Sequence, residues 1–260
     1  MRSRRVARAQ PGWGGPTAAV SFAVASRSAR DERIRGGDVF EAFVRSDGSA
    51  SFLLADVSSK GALGKANAET LRRAFLVAAQ RTRDPARMLR ELNGVRFEAG
   101  PDALGTPFAS AFVATIGRAA SGLLYASAGH EPALIVGGTS RAGRAFRKLE
   151  PTGPVLGVLR DATYVECLET FAAGDVLLLA TDGFTECRSR RDRSAHFGIA
   201  GIVGTLAVPA LSVADAVARG ADAFTGGSYR DDATVAAIRR RESLRPIRSE
   251  LYGVTSNAVP

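Results

Sequence analysis

The sequence predicts an α+β sandwich built mainly from antiparallel strands. Two observations carry that prediction: short apolar runs joined by Gly-containing turns, and a pair of helical patterns set between two blocks of such runs. A doubly wound sheet would alternate strand and helix along the chain, and this chain does not.

Residues 1–16, "MRSRRVARAQPGWGGP", are basic, rich in Gly and Pro, and too poor in apolar surface to order themselves. They are predicted to form a disordered tail, residues 17–241 the folded domain, and 242–260 a C-terminal tail. "AAVSFAVAS" (18–26), "DVFEAFVRS" (38–46) and "SASFLLADVS" (50–58) read as strands, with "SDGS" (46–49) as the turn between the last two. From Gly61 to about Arg83 the apolar period changes, and Leu63, Ala66, Ala68, Leu71, Ala74, Phe75 and Ala78 recur at helical spacing. A second helix follows, with Asp84 as N-cap, Pro85 at its first position, and Met88, Leu89 and Leu92 turned inward. Strands then resume at 108–117, 122–129, 132–137, 162–171 and 175–181. A helix over 211–224 and a strand over 232–240 complete the domain.

A chain of 260 residues with 45% hydrophobic content can bury one substantial core. The 35 basic and 26 acidic side chains give a net charge of +9, and nearly all the bases are Arg, since only Lys60, Lys65 and Lys148 occur. Clustered Arg raises the question of phosphate-backbone binding. The basic runs "MRSRRVARAQ", "RSRRDR" and "IRRRESLRPIR" lie mostly at the termini and in loops, however, and none interleaves the aromatics of a base-stacking platform. Solvated faces are therefore the simpler reading, and nucleic acid is not the expected partner. Cys167 and Cys187 are too few for a disulfide framework. No run approaches the ~20 apolar residues of a membrane span, and no apolar h-region follows the basic N-terminus, so the expectation is a soluble cytoplasmic protein.

Four acids share one property: Asp38 in "RGGDVF", Asp56 in "LLADVSSKG", Asp182 in "LLLATDGFTE" and Asp231 in "SYRDDATV" each stand at the end of an apolar strand. A sheet edge holds side chains to the tolerance that a metal site requires. Asp beside Gly is also ordinary turn chemistry, and for Asp182 taken alone the two readings stand level. Oxygen-only, carboxylate-rich sites suit hard divalent cations, and with only His130 and His196 the chain has no His-rich zinc site to offer. Gly36 and Gly37 are expected to let the backbone approach such a site before Asp38, and Gly183 to let the chain turn after Asp182.

In their order, "GGDVFEAF", "LLADVSSKG", "YASAGHEPALIV", "GPVLGV", "GDVLLLATDGFTECRS" and "DDATVAAIRR" resemble the metal-dependent serine/threonine protein phosphatases of type 2C, in particular the bacterial SpoIIE-like branch that includes RsbU-type regulators. The resemblance covers about 18–240. It implies a four-layer αββα sandwich, two antiparallel sheets flanked by helix pairs, with two divalent cations, Mn²⁺ or Mg²⁺, at one edge. Asp56 would bridge the ions, Asp182 and Asp231 would hold one, and Asp38 the other partly through water, while the Val57 carbonyl would add a ligand. The implied reaction is attack of a metal-activated hydroxide on phosphoserine or phosphothreonine, with a phosphorylated anti-sigma-factor antagonist or a similar switch protein as substrate.

Arg33, Arg35 and Lys60 are the candidate phosphate contacts. Lys60 is a poor general acid at its reference pKa of ~10.4, and His130 in "SAGHEP" is more simply a histidine that satisfies backbone groups at a turn. The chain departs from the branch at Ser59, where Gly is usual, which keeps a catalytically weak or inactive binding module as the alternative.

Overall fold

The computed structural model describes residues 20–29, 31, 36–101, 108–117, 122–137, 146–206 and 213–241. Two five-stranded antiparallel sheets form its centre. One has the order β1 (Val20–Arg27), β10 (Ala233–Arg240), β9 (Val176–Ala180), β6 (Ala133–Val136), β7 (Phe146–Leu149). The other has the order β2 (Asp38–Val44), β3 (Ala50–Val57), β4 (Ala109–Ile116), β5 (Gly122–Ala128), β8 (Cys167–Thr170).

Alternation along the strands sorts the side chains into three apolar layers. Phe52 and Leu54 of β3 meet Leu177 and Leu179 of β9 between the sheets, together with Phe112, Ile135 and Ile238. The opposite face of β3, Leu53, Ala55 and Val57, packs under α1 (Gly61–Arg81) and α2 (Pro85–Glu98). Leu178 and Ala180 of β9 pack on the other side, under α5 (Val213–Thr225) and the short α4 (Gly198–Gly204). This is the expected αββα order, with a long helix pair on one flank and one long and one short helix on the other.

Local signals explain the boundaries. The Asp84 carboxylate accepts a hydrogen bond from Arg87 N at 2.9 Å, and Pro85 opens α2, as its sequence predicts. The "SDGS" turn closes with Arg45 N donating to Ser49 O at 2.8 Å while Gly48 takes φ 83°. The inward face of α1 is Gly64, Ala68, Leu71, Phe75, Ala78 and Ala79; Leu63 and Ala66, counted in the same helical period, are exposed.

The strand predicted over 162–171 forms only at Cys167–Thr170, because Ala162 and Tyr164 pack under the helix pair instead of pairing with a neighbour. Unpredicted elements are β7, three of whose four residues are exposed, α4, and one helical turn, α3 (Asp182–Thr185). Both cysteines are free thiols. Among the described residues no helix is long and apolar enough to cross a membrane. The predicted tails, 1–16 and 242–260, lie outside the described residues.

Candidate functional site

All four singled-out acids stand at one end of the two sheets. Asp38, the first residue of β2, pairs directly across from Asp56, near the end of β3, and Ser110 of β4 continues the same row. Because Asp56 follows Phe52 and Leu54 at a period of two, its side chain falls on the inter-sheet face, just beyond the last core leucine. On the opposing sheet β9 runs Leu177, Leu178, Leu179, Ala180 into Thr181 and then Asp182, while Asp231 and Asp232 immediately precede β10. Val235 pairs with Ala180, so the start of β10 and the end of β9 lie side by side.

Thr181 ties the sheets together. Fully buried, it donates from Oγ1 to Asp38 Oδ2 at 2.9 Å and accepts from Thr234 N at 2.9 Å, while its own amide donates to Thr234 O at 2.9 Å. Asp232 performs a comparable task, accepting from Ala29 N at 2.8 Å and from Gly36 N, and so fastens the segment entering β2 to the start of β10. Sequence reasoning named Asp231 and passed over both residues. Nothing in two adjacent aspartates says which one faces the backbone.

Three glycines make the close approaches possible. A Cβ at Gly183 would stand 1.9 Å from Asp232 O, so only glycine lets α3 press against β10 and bring Asp182 beside Asp231. Its φ is not positive, so the role is contact and not the turn expected from sequence. At Gly64 a Cβ would meet Ser59 O at 2.4 Å, which lets the start of α1 press on the loop after β3. At Gly37 it would stand 2.7 Å from both Asp56 Oδ1 and Val57 O, so two oxygens from different residues face the space that this glycine keeps open.

Crowding of acids shifts their protonation. Burial raises the Asp56 carboxyl to about 7, helped by Asp182 and Asp231 and opposed by Lys60. Burial also raises Asp38 well above the usual carboxylate range, with Asp56 adding to it and the Thr234 and Thr181 hydroxyls opposing. Asp182 is raised by burial and then by Asp231 and Glu186.

Lys60 stands within this field, its Nζ 2.6 Å from Asp231 Oδ2. Burial pulls its pKa down, but Asp231, Asp56 and Asp182 outweigh it and the group is held above its ordinary value. Ser59 is buried, and its hydroxyl accepts from Asn67 Nδ2 of α1 at 3.0 Å. His130 is buried with Nδ1 2.8 Å from Ser110 Oγ, and burial lowers its pKa to about 4, so it is neutral at pH 7. Arg33 and Arg35 lie outside the described residues.

Among the described residues no three acidic, His or Cys side chains are already drawn around one point as a closed cation cage. The donor set nevertheless fits a hard divalent cation. It consists of carboxylates plus the carbonyl of Val57, it carries more negative charge than it can keep ionised without cations, and the opening at Gly37 has two of those oxygens on its wall.

Beside Asp182 and Asp231 opens a cavity of about 210 Å³ whose lining continues through Glu186, Arg188, Arg193, His196 and Arg230. The site is thus an acidic end and a basic end in one depression.

Comparison with known proteins bears on the family and the fold. Residues 46–241 match the family described as Stage II sporulation protein E (SpoIIE). The chain is 32% identical over 153 residues to the phosphoserine phosphatase RsbU of Bacillus subtilis, an alignment that spans 59% of this chain and 44% of that protein. The fold matches the SiaA-PP2C domain of Pseudomonas aeruginosa with a TM-score of 0.70 at 21% identity, covering 84% of this chain and 85% of that one. It also matches the RsbU and RsbW domains of Rv1364c from Mycobacterium tuberculosis, TM-score 0.67 at 24% identity, over 86% of this chain and 62% of that one.

Proposed function

Because the chain belongs to the SpoIIE family of type 2C protein phosphatases, we propose that it hydrolyses phosphoserine or phosphothreonine on a regulatory protein, of the anti-sigma-factor antagonist kind, at Asp38, Asp56, Asp182 and Asp231. The observation that carries this reading is the row of Asp38 and Asp56 across β2 and β3, facing Asp182 and Asp231 from the other sheet, with burial, and then the charge of Asp182 and Asp231, lifting Asp56 to about 7.

Mn²⁺ or Mg²⁺, when bound, supplies Lewis-acid charge and ionises a water as nucleophile. Asp56, Asp38, Asp182, Asp231 and the Val57 carbonyl are the groups that would hold two such cations. Thr181 and Asp232 act through the others: one orients Asp38 and the other fixes the backbone at Gly36. Lys60 places a positive charge at the mouth of the acid cluster, where it attracts the phosphate; held above its ordinary pKa, it serves as a charge and not as the proton donor. The buried Leu177 and Leu179 keep the sheet edge rigid, so the carboxylates need little reorganisation at the moment of reaction.

The test is hydrolysis of para-nitrophenyl phosphate and of a phosphorylated switch protein, with and without Mn²⁺. Metal-dependent turnover that disappears in Asp182→Asn is expected; turnover indifferent to metal, or retained in that variant, overturns the reading. A second reading, a binding module with little or no turnover, has one observation on its side: the Lys60 ammonium already pairs with Asp231, a proposed ligand. It predicts binding of the phosphoprotein without hydrolysis at any metal concentration.

A further inference from the structure

The basic end of the depression has no part in the reaction just described. Arg188, Arg193, Arg230 and His196 line it, with Glu186 as the one acid besides Asp182 and Asp231. The lining arginines enter none of the ion pairs found among the described residues. The loop that carries Arg188 and Arg193 is held in shape by its own backbone. Ser189 N donates to Ala195 O and Phe197 N to Cys187 O, each at 3.0 Å, and Arg188 pairs with His196 as an isolated antiparallel bridge. At the tip the Asp192 carboxylate accepts from Ser194 N at 2.9 Å, and Arg188 Nη1 donates to Arg193 O at 3.2 Å. Two guanidinium groups are therefore presented on a pre-shaped loop, and Arg230, next to Asp231, adds a third to a wall that opens directly onto two of the proposed metal ligands.

We propose that this wall is a specificity subsite, in which Arg188, Arg193 and Arg230 receive acidic side chains flanking the phosphorylated residue of the substrate protein. The inference rests on the phosphatase reading for its orientation: the phosphate goes to the acidic end, and neighbouring carboxylates go to the basic end. Arginine is suited to this because its planar fork takes a carboxylate through two hydrogen bonds. The volume, about 210 Å³, suits a few side-chain tips rather than a folded surface. Apart from His196 the lining has no aromatic ring on which a nucleobase would stack, which favours an acidic peptide over a nucleic acid.

The test uses two fluorescent phosphoserine peptides, one with Glu at the two positions on each side of the phosphoserine and one with Gln there. Binding is followed by anisotropy to the full chain carrying Asp56→Asn, which separates recognition from turnover. The acidic peptide is expected to bind about tenfold more tightly than its neutral counterpart in ~0.1 M salt. That preference should shrink to within about twofold in ~0.5 M salt, where surface charges are screened. Adding Arg188→Ala and Arg193→Ala should remove it at low salt as well.

Equal affinity for the two peptides overturns the subsite, as does a preference untouched by both salt and the double substitution. So does displacement of the acidic peptide by a DNA oligonucleotide at lower concentration than by the unlabelled peptide. Failure of the two proposals can be told apart. Acid-selective binding by a chain whose wild type lacks metal-dependent hydrolysis keeps the subsite and removes the phosphatase, whereas metal-dependent hydrolysis without acid preference does the reverse.

Discussion

The two sheets contribute to the site in different ways. Asp38 and Asp56 sit within a regular ladder, paired in register, with Thr181 closing over Asp38 and the core phenylalanines directly behind them. Asp182 and Asp231 stand just outside their strands, one on a single helical turn and the other in the approach to β10, and both border the open cavity. The first pair is held by secondary structure. The second is held by contact, through Gly183 against Asp232. A site assembled this way has one fixed wall and one adjustable wall, and the open cavity lies along the adjustable one.

The largest effect should come from neutralising the fixed wall. Asp56→Asn is expected to lower metal-dependent kcat/KM at least about a hundredfold, and yet to make the EDTA-treated protein more stable by about 1–3 kcal/mol at pH 8, because a buried charge facing Asp182 and Asp231 is gone. A loss of both activity and stability would mean that Asp56 is simply structural.

The same crowding sets a pH dependence. The folded Asp56 carboxyl titrates at about 7 instead of 3.8, and Asp38 is shifted in the same direction. The folded state therefore binds more protons than the unfolded state between these values, and stability of the EDTA-treated protein falls as pH rises from about 4 to about 7. One such group contributes up to ~1.4 kcal/mol per pH unit, and Asp56 contributes no further slope above pH 7. Urea denaturation across this range should show the fall, and in Asp56→Asn the slope should be shallower.

On the adjustable wall, Gly183→Ala must displace a backbone carbonyl and should cost about 1–3 kcal/mol along with most of the activity. Gly94→Ala is the control. A Cβ there meets nothing within 4 Å in α2, and helix propensity should add up to ~1 kcal/mol of stability with turnover unchanged. If both substitutions behave alike, the contact account of Gly183 is wrong. The smallest effect is expected from Thr181→Val, about 1 kcal/mol and a several-fold loss of kcat, with Thr181→Ser restoring both because only the hydroxyl matters.

The same contrast explains what was legible in the sequence. Asp38 and Asp56 could be found because alternating strands announce their own ends, and the Asp84–Pro85 cap fixed a helix start from two residues. What escaped notice depends on contacts between distant segments. Asp232 and Thr181 look like ordinary neighbours of a motif until their partners, Gly36 and Asp38, are brought 196 and 143 positions along the chain to meet them. Edge strand β7 carries no alternation, since Phe146, Arg147 and Lys148 are all exposed. "RSRRDR" reads as a solvated charge run because one sequence does not tell which of its arginines turn toward the acids; Arg188 and Arg193 do.

The most direct test of the central claim is anomalous diffraction from crystals of the chain grown with Mn²⁺. The account predicts manganese peaks between the sheets at Asp56, with Asp182 and Asp231 on one side and Asp38 and the Val57 carbonyl on the other. Manganese found only elsewhere, or no peak at Asp56 in crystals of a protein whose turnover requires the metal, would contradict it.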